Sequence, residues 1–292
     1  MRYRIRHRTE YRYTEPVLAS LNQACLTPRD TAHQRVIEHR VQFLPAPHAQ
    51  MSWTDSFGNR QHQCCFSDPH PALAVEAESM VDVRAPARPP LDEGPAWEEA
   101  RSAVREHADG GTLDALQFVF NSPFIRGTPD FRALAEPDFP PGVPLPAALA
   151  AFAARFQREF TYDAASTTLH TAPEEVLAHR RGVCQDFAQV MIAALRSMGL
   201  ATRYVSGYLR TLPPPGMPRL VGADASHCWA SVYCPGWGWI DADPTNGCLV
   251  TDQHITIAWG RDYADVTPVK GVILGGGTQT ITVAVDVVPD GE

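Results

Sequence analysis

Cys184, His227 and Asp243 are the residues whose types and settings could do chemistry. Cys184 opens the run CQDFAQVMIAALRSM, in which Phe187, Met191, Ala194, Leu195 and Met198 recur at helical spacing. Arg180-Arg181-Gly182 precedes it. A thiolate in the first turn of a helix faces the positive end of the helix dipole and its unpaired N–H groups, which lower its pKa. The Cys184 N–H can itself donate to an oxyanion, and Gly182 would let the backbone approach a substrate closely. Position alone still favours a blander account, a buried cysteine at the start of a core helix.

His227 begins the strand-like run HCWASVYC, and Pro235-Gly236-Trp237 is a natural turn into GWIDADP. Period two places His227, Trp229, Ser231 and Tyr233 on one face. A hairpin centred near Gly236 sets position 229 opposite 243 and 227 opposite 245. Trp239, Asp241 and Asp243 then share the face of His227, with Asp243 its diagonal neighbour. A shift of one residue would undo that parity. Taken singly, a strand-end His is usually structural and an Asp before Pro244 usually belongs to a turn. Together the three supply nucleophile, base and base-orienter. Neutral imidazole can take the thiol proton, and the carboxylate fixes the tautomer and stabilises the imidazolium.

Around these residues, periodicity marks the elements that must hold them. Residues 2–13 alternate strictly, with Tyr3, Ile5, His7, Thr9, Tyr11 and Tyr13 on one side and Arg2, Arg4, Arg6, Arg8, Glu10 and Arg12 on the other. This is a half-buried strand, and with a net charge of −8 the arginine row reads as a solvated face rather than an anion site. Strand-like runs at 35–44, 51–53 and 72–83, with a hairpin turn at Phe57-Gly58-Asn59, make residues 1–86 an N-terminal antiparallel β domain. The proline-rich stretch 85–95 leads into a catalytic domain, residues 87–292. Helices are expected there at about 96–108, 112–120, 146–160, from Pro173 to before Gly182, and at 184–198 with Gly199 as the closing residue. Strands are expected at 201–209, 227–234, 238–244 and 279–288. A helix followed by such a run implies a helix packed on an antiparallel sheet, an α+β core.

Composition narrows the function class. Apolar residues make up 44% and charged residues 20% of the 292, enough for a buried core. No stretch approaches the roughly 18 consecutive apolar residues of a membrane span, and the start lacks the apolar region of a secretory signal. The acidic balance argues against nucleic-acid binding. A soluble, cytoplasmic protein that binds neither nucleic acid nor membrane is expected. The seven cysteines (25, 64, 65, 184, 228, 234 and 248) form no CxxC pair and no zinc pattern, so reduced thiols are the default. Gly275-Gly276-Gly277 lacks the Lys-Ser/Thr of a phosphate loop.

The segments RRGVCQDFAQVMIAALRSMGLATRYVSGYL, DASHCWASVYCPGWGWIDADPTNG and GRDYADVTPVKG resemble the bacterial branch of the transglutaminase-like superfamily. The resemblance covers about 146–288, in the order Cys, His, Asp, and the first 85 residues are similar to the β-rich region that precedes this core. It implies a papain-like core in which Cys184 is the nucleophile, His227 the general base and acid, and Asp243 the third member. It also implies attack on an amide or isopeptide carbonyl of a protein or peptide substrate, through a thioester and without a cofactor. Sequences of this branch are often described as cysteine proteases, so hydrolysis is the expected outcome. Transfer to an amine, as in a true transglutaminase, and a catalytically silent binding module are the alternatives. Trp229, Trp239 and Tyr208 are the expected substrate-binding residues; with Trp237 and Trp259, the two tryptophans could equally wall the cleft or fill the core. The upstream Trp that completes the oxyanion hole of animal transglutaminases has no placeable equivalent, which leaves Tyr162, Gln185 and Tyr208 as candidates. Cys228 stands where the branch more often has a small residue; it should point to the opposite face and pack. Asp224 reads as a loop charge and Asp186 as a first-turn acid. Nothing resembles a calcium loop, and no metal site is expected.

Overall fold

The first strand outruns its sequence signal. In the computed structural model, which describes residues 1–107, 109–169, 171–211 and 225–291, β1 runs Arg2–Ala24. Tyr3, Ile5, His7 and Thr9 are buried and the arginines between them are exposed, as period two requires. Pro16 has no N–H for a ladder, and the pairing changes around it. β1 pairs with β5 (His70–Val83) over Arg2–Arg12 and, after a register shift, at Val17; from Ser20 it pairs with β4 (Arg60–Phe66). β2 (Gln34–Leu44) lies outside β5, and β3 (Ala49–Thr54) outside β4. Across the register Arg2 pairs with Asp82, Arg6 with Glu78 and Arg8 with Glu76. Exposed pairs of this kind add little stability, but they neutralise the row and leave it a solvated sheet face.

The chain's last two strands also join this sheet. The run at 279–288, expected beside the strands of the core, instead pairs as β14 (Gln279–Pro289) with Tyr3–Tyr13, and β13 (Val269–Gly275) pairs with Val17–Ala24. β4 and β5 take one edge of β1 and leave the other open along its whole length. Gly275, Gly276 and Gly277, all at positive φ, turn the chain between the two.

Helices α1 (Trp97–Arg105), α2 (Gly110–Leu116), α3 (Pro129–Ala135) and α4 (Leu145–Glu159) follow the proline-rich stretch. β6 (Thr161–Tyr162), α5 (Pro173–His179) and β7 (Arg181–Gly182) lead into α6 (Cys184–Ser197). α6 packs on an antiparallel sheet ordered β11-β10-β9-β8-β12. Its members are β8 (Thr202–Leu209), β9 (Ala225–Cys234), β10 (Gly238–Asp243), β11 (Cys248–Leu249) and β12 (His254–Gly260); the short α7 (Tyr263–Val266) follows. Cys228, Ala230, Val232 and Cys234 of β9 enter the same core as Phe187, Met191 and Leu195 of α6, whereas Trp229 packs on the other face with Val205 and Val250. This is the expected helix on an antiparallel sheet.

β12 carries no strand expectation from the sequence, yet it closes one side of the sheet. Its outer edge is covered by two buried amides of the N-terminal domain. Gln34 exchanges hydrogen bonds with the Thr256 backbone (2.7 and 2.9 Å), and Asn59 does so with that of Trp259 (2.8 and 3.0 Å). Each amide stands in for a strand residue on an edge that would otherwise be open. No helix among the described residues is long and apolar enough to cross a membrane.

Candidate active site

The N-terminus of α6 is left open for chemistry. Its N-cap, Val183, offers no side-chain oxygen, and Asp186 reaches back to accept from the Val183 N–H (2.9 Å) and the Thr167 hydroxyl (2.7 Å). The N–H groups of Cys184, Gln185 and Asp186 therefore lie at the three helical positions that have no partner within the helix. Gly182 serves this packing rather than a substrate: a Cβ there would stand 2.8 Å from Asp186 Oδ2. Burial pushes the Asp186 carboxyl up.

The Cys184 thiol lies close enough to the Cys228 thiol and the His227 ring for both to shift its titration. Beyond it, His227 Nε2 lies 2.7 Å from Asp243 Oδ2. The turn-derived hairpin register is the one found, with Trp239 opposite Tyr233 and Ala242 opposite Ala230. Asp243 is fully buried and its oxygens are saturated. Oδ1 accepts from the Thr245 and Asn246 N–H groups (2.9 and 3.2 Å), and Oδ2 also from Asn246 Nδ2 (2.6 Å) and His254 Nε2 (3.1 Å). The Cys228 thiol and then His227 hold the Cys184 thiol well below its usual range, against burial. Burial alone would lower His227, but Asp243 and Cys184 outweigh it and raise the imidazolium well above its usual range. Burial would raise Asp243, and His227, His254 and Asn246 together hold it far below the usual carboxylate range. A thiol shifted down beside an imidazolium shifted up favours the thiolate–imidazolium form of the pair.

Cys184 is accordingly expected to be the fastest-alkylated cysteine near neutral pH, by about tenfold or more over the other six. Burial pushes Cys25 and Cys64 up to about 12 and Cys234 and Cys248 up to about 11, and it raises Cys228 as well. Peptide mapping after brief iodoacetamide treatment reads this directly. Faster labelling of Cys25, Cys64 or Cys248 in the folded protein would remove Cys184 as the nucleophile.

Of the three expected substrate-binding residues, Trp229 stands beside the His227 ring (centroids 6.1 Å apart) and the other two lie elsewhere. Tyr208 is buried, its hydroxyl bonded to His7 Nδ1 of the N-terminal sheet (2.9 Å), which also removes it as an oxyanion donor. Trp239 packs against Phe118 and Tyr233 under the Arg203 guanidinium, far along the hairpin from His227. Trp229 is fully buried behind His227, its Nε1 donating to Asp241 Oδ2 (3.1 Å). Trp237 stands exposed in the β9–β10 turn, and Trp259 lies under Arg29 and Arg203. Large aromatic rings bury wherever the core has room, and strand parity sets a face but not a neighbour. Of the remaining oxyanion candidates, Gln185 is half-buried and Tyr162 is exposed; Tyr162 pairs with Gly182 and lies close enough to Cys184 to feel its charge. Cys228 does point to the opposite face of β9 from Trp229, but that is the face α6 covers, so it meets Cys184 instead of serving as packing alone. Asp224 lies outside the described residues.

Sequence reasoning missed His254 and Asn246. Asn246 follows Asp-Pro-Thr, where an Asx-type turn folds its amide back onto Asp243. His254 opens the run HITIAWG as His227 opens its own strand, a signal that was legible but unread. The ligand atoms of His227, Asp243 and His254 lie within 4.8 Å of one another, a donor set that suits a divalent metal. Hydrogen bonds from both rings to one carboxylate oxygen already account for that spacing.

Residues 3–82 match the bacterial transglutaminase-like N-terminal region and residues 140–244 the transglutaminase-like superfamily. An uncharacterised protein of Mycobacterium tuberculosis is 43% identical over 296 residues, covering 99% of this chain and 93% of that protein. A protein-glutamine gamma-glutamyltransferase of Pseudomonas aeruginosa is 31% identical over 125 residues, 41% of this chain and 19% of the relative. A Cytophaga hutchinsonii protein put forward as a cysteine protease shares the fold, with a TM-score of 0.75 at 21% identity over 99% of this chain and 90% of that one.

Proposed function

The chain belongs to the transglutaminase-like superfamily, with a bacterial transglutaminase-like N-terminal region, and from that premise we propose that it is a Cys-His-Asp enzyme that cleaves amide or isopeptide bonds. The observation that carries the reading is the convergence of the three groups, with His227 Nε2 2.7 Å from Asp243 Oδ2 and the Cys184 thiol beside the His227 ring. The Cys184 thiolate attacks the carbonyl carbon of a glutamine, amide or isopeptide group in a protein or peptide. The N–H groups at the start of α6 receive the oxyanion. His227 hands its proton to the leaving amine, and the thioester forms as the C–N bond breaks. Neutral His227 then takes a proton from water, which attacks the thioester and releases the acid and the thiolate. No cofactor enters this reading. A silent binding module is disfavoured because all three groups are present and brought together.

Transfer to an amine is the second reading, favoured by the similarity to the Pseudomonas aeruginosa gamma-glutamyltransferase. It requires water to be kept from the thioester by apolar walls or a closing lid. Of the aromatics that could build such walls, Trp229 is buried beside His227, Trp237 is exposed in the β9–β10 turn and Trp239 packs against Phe118. Hydrolysis is therefore the expected outcome. A glutamine- or isopeptide-bearing peptide is supplied with excess primary amine, and both products are followed. Free acid, with ammonia or released amine and little adduct, supports hydrolysis. An amine adduct as the main product, absent in Cys184→Ala, makes the chain a transferase. No turnover of any such substrate, with Cys184 no more reactive than an ordinary thiol, returns it to the binding-module reading.

A further inference from the structure

His254 has no role in the reaction just described, yet it shares an oxygen with the ring that does. Its Nε2 lies 3.1 Å from Asp243 Oδ2, the atom that His227 Nε2 approaches at 2.7 Å. The His254 ring is buried and comes from β12, a different strand from either partner. The Thr251 N–H donates to its Nδ1 (3.3 Å), which leaves the proton on Nε2 and makes that nitrogen the donor to Asp243. The ring cannot swing away, because Trp229 stands edge-on against it with centroids 5.3 Å apart at 86°. Trp229 is in turn tied to Asp241 (3.1 Å), and Gly207 makes room for it, since a Cβ there would stand 2.5 Å from the indole ring. A buried brace thus runs from Asp241 through Trp229 and His254 to the carboxylate.

We propose that His254 is a positioning residue of this site: its N–H holds Asp243 in register with His227 and draws off part of the carboxylate charge, so that the imidazolium is supported without being locked in its protonated form. The proposal rests on the Cys184–His227–Asp243 reading. A carboxylate has about four lone-pair sites, and here five N–H contacts from three side chains and two backbone groups converge on them. Without the His254 donor, more of the charge on Oδ2 falls on His227, which then gives up its proton less readily. Among the described residues, the titratable groups around the cluster are Cys184 on α6, Cys228 on β9, Asp241 on β10 and Cys248 on β11. Tyr204 of β8 lies against Cys228, Arg203 and His33 lie behind Asp241, and Arg88 reaches toward Cys248. Cys228, Cys248 and Tyr204 are all raised by burial, so none of them should titrate between the two steps of the ion pair.

The test is the pH profile of Cys184 alkylation by iodoacetamide, read by mass spectrometry, with thermal midpoints recorded for every variant. The profile carries a lower inflection where the ion pair forms and an upper one where the imidazolium loses its proton. His254→Leu is expected to raise the upper inflection by about half to one pH unit. His254→Gln, whose amide can donate to the same oxygen, should stay within about 0.2 unit of the unsubstituted protein. If His254→Leu does not fold, His254→Met carries the same expectation. An unmoved upper inflection in the apolar variant, or a glutamine variant displaced as far as leucine, overturns the proposal. Asp243→Asn is the control for the underlying reading. If it collapses the profile while His254→Leu does not, only the role of His254 falls. If Asp243→Asn also leaves the profile unchanged, the triad itself is wrong.

Discussion

Asp243→Asn is expected to lower turnover of a glutamine- or isopeptide-bearing peptide by about 10³- to 10⁴-fold, while Asp241→Asn costs no more than about a hundredfold. The difference lies in what each oxygen meets. Asp243 Oδ2 accepts from the His227, His254 and Asn246 side chains, and Oδ1 accepts from two backbone N–H groups. An asparagine that keeps its oxygen on the backbone donors must turn its NH₂ toward three other N–H groups. His227 can then pair with it only by moving its own proton to Nδ1, the side that faces Cys184, and the base is lost. Asp241 instead accepts from Trp229 Nε1 (3.1 Å) and does not touch His227. Initial rates are compared at a temperature where both variants are folded. An equal or larger loss from Asp241→Asn at matched thermal stability would show that the wrong carboxylate has been placed behind the histidine.

The largest expected effect on stability belongs to Arg196, near the end of α6. Its side chain is buried, and its donors reach the Thr202 carbonyl twice (2.8 and 3.0 Å), the Phe120 carbonyl (3.1 Å), Ser122 Oγ (3.2 Å) and the Arg261 carbonyl (2.6 Å). Burial lowers the guanidinium to about 10, so it is still charged at neutral pH. Its planar fork ties the helix to the start of β8, to the segment after α2 and to the turn after β12, and a lysine could not replace it. Arg196→Met keeps the bulk but leaves three carbonyls and the charge-assisted bonds unmade. The expected cost is about 3–5 kcal/mol, or a fall of about 10 °C in thermal midpoint. Arg132→Ala, which removes an exposed pair with Glu136, should change stability by less than about 0.5 kcal/mol. A midpoint for Arg196→Met as close to the unsubstituted protein as that of Arg132→Ala would mean that neighbouring polar groups or water replace the fork.

What could be read without a structure was local. Alternation over residues 2–13 marks a half-buried strand because side chains on a pleated backbone change face at every residue. The stripe from Phe187 to Met198 marks a helix, with Cys184 at its start and Gly199, at φ 83°, at its close. The Pro-Gly-Trp turn sets the β9–β10 register, and with it the approach of Asp243 to His227, because a tight turn leaves little freedom in pairing the strands it joins. Contacts between distant segments were decided only by tertiary packing. β14 leaves the core for the edge of β1 over Tyr3–Tyr13 that β5 does not occupy, and β13 takes the same edge beyond Pro16. Tyr208 is drawn to His7, Trp239 to Phe118, and Cys228 to the face where α6 begins, because period two assigns a side chain to a face without saying what covers that face. His254 meets Asp243 by its side chain although β8 and β9 separate their strands in the sheet, a contact that is invisible to any count along the chain.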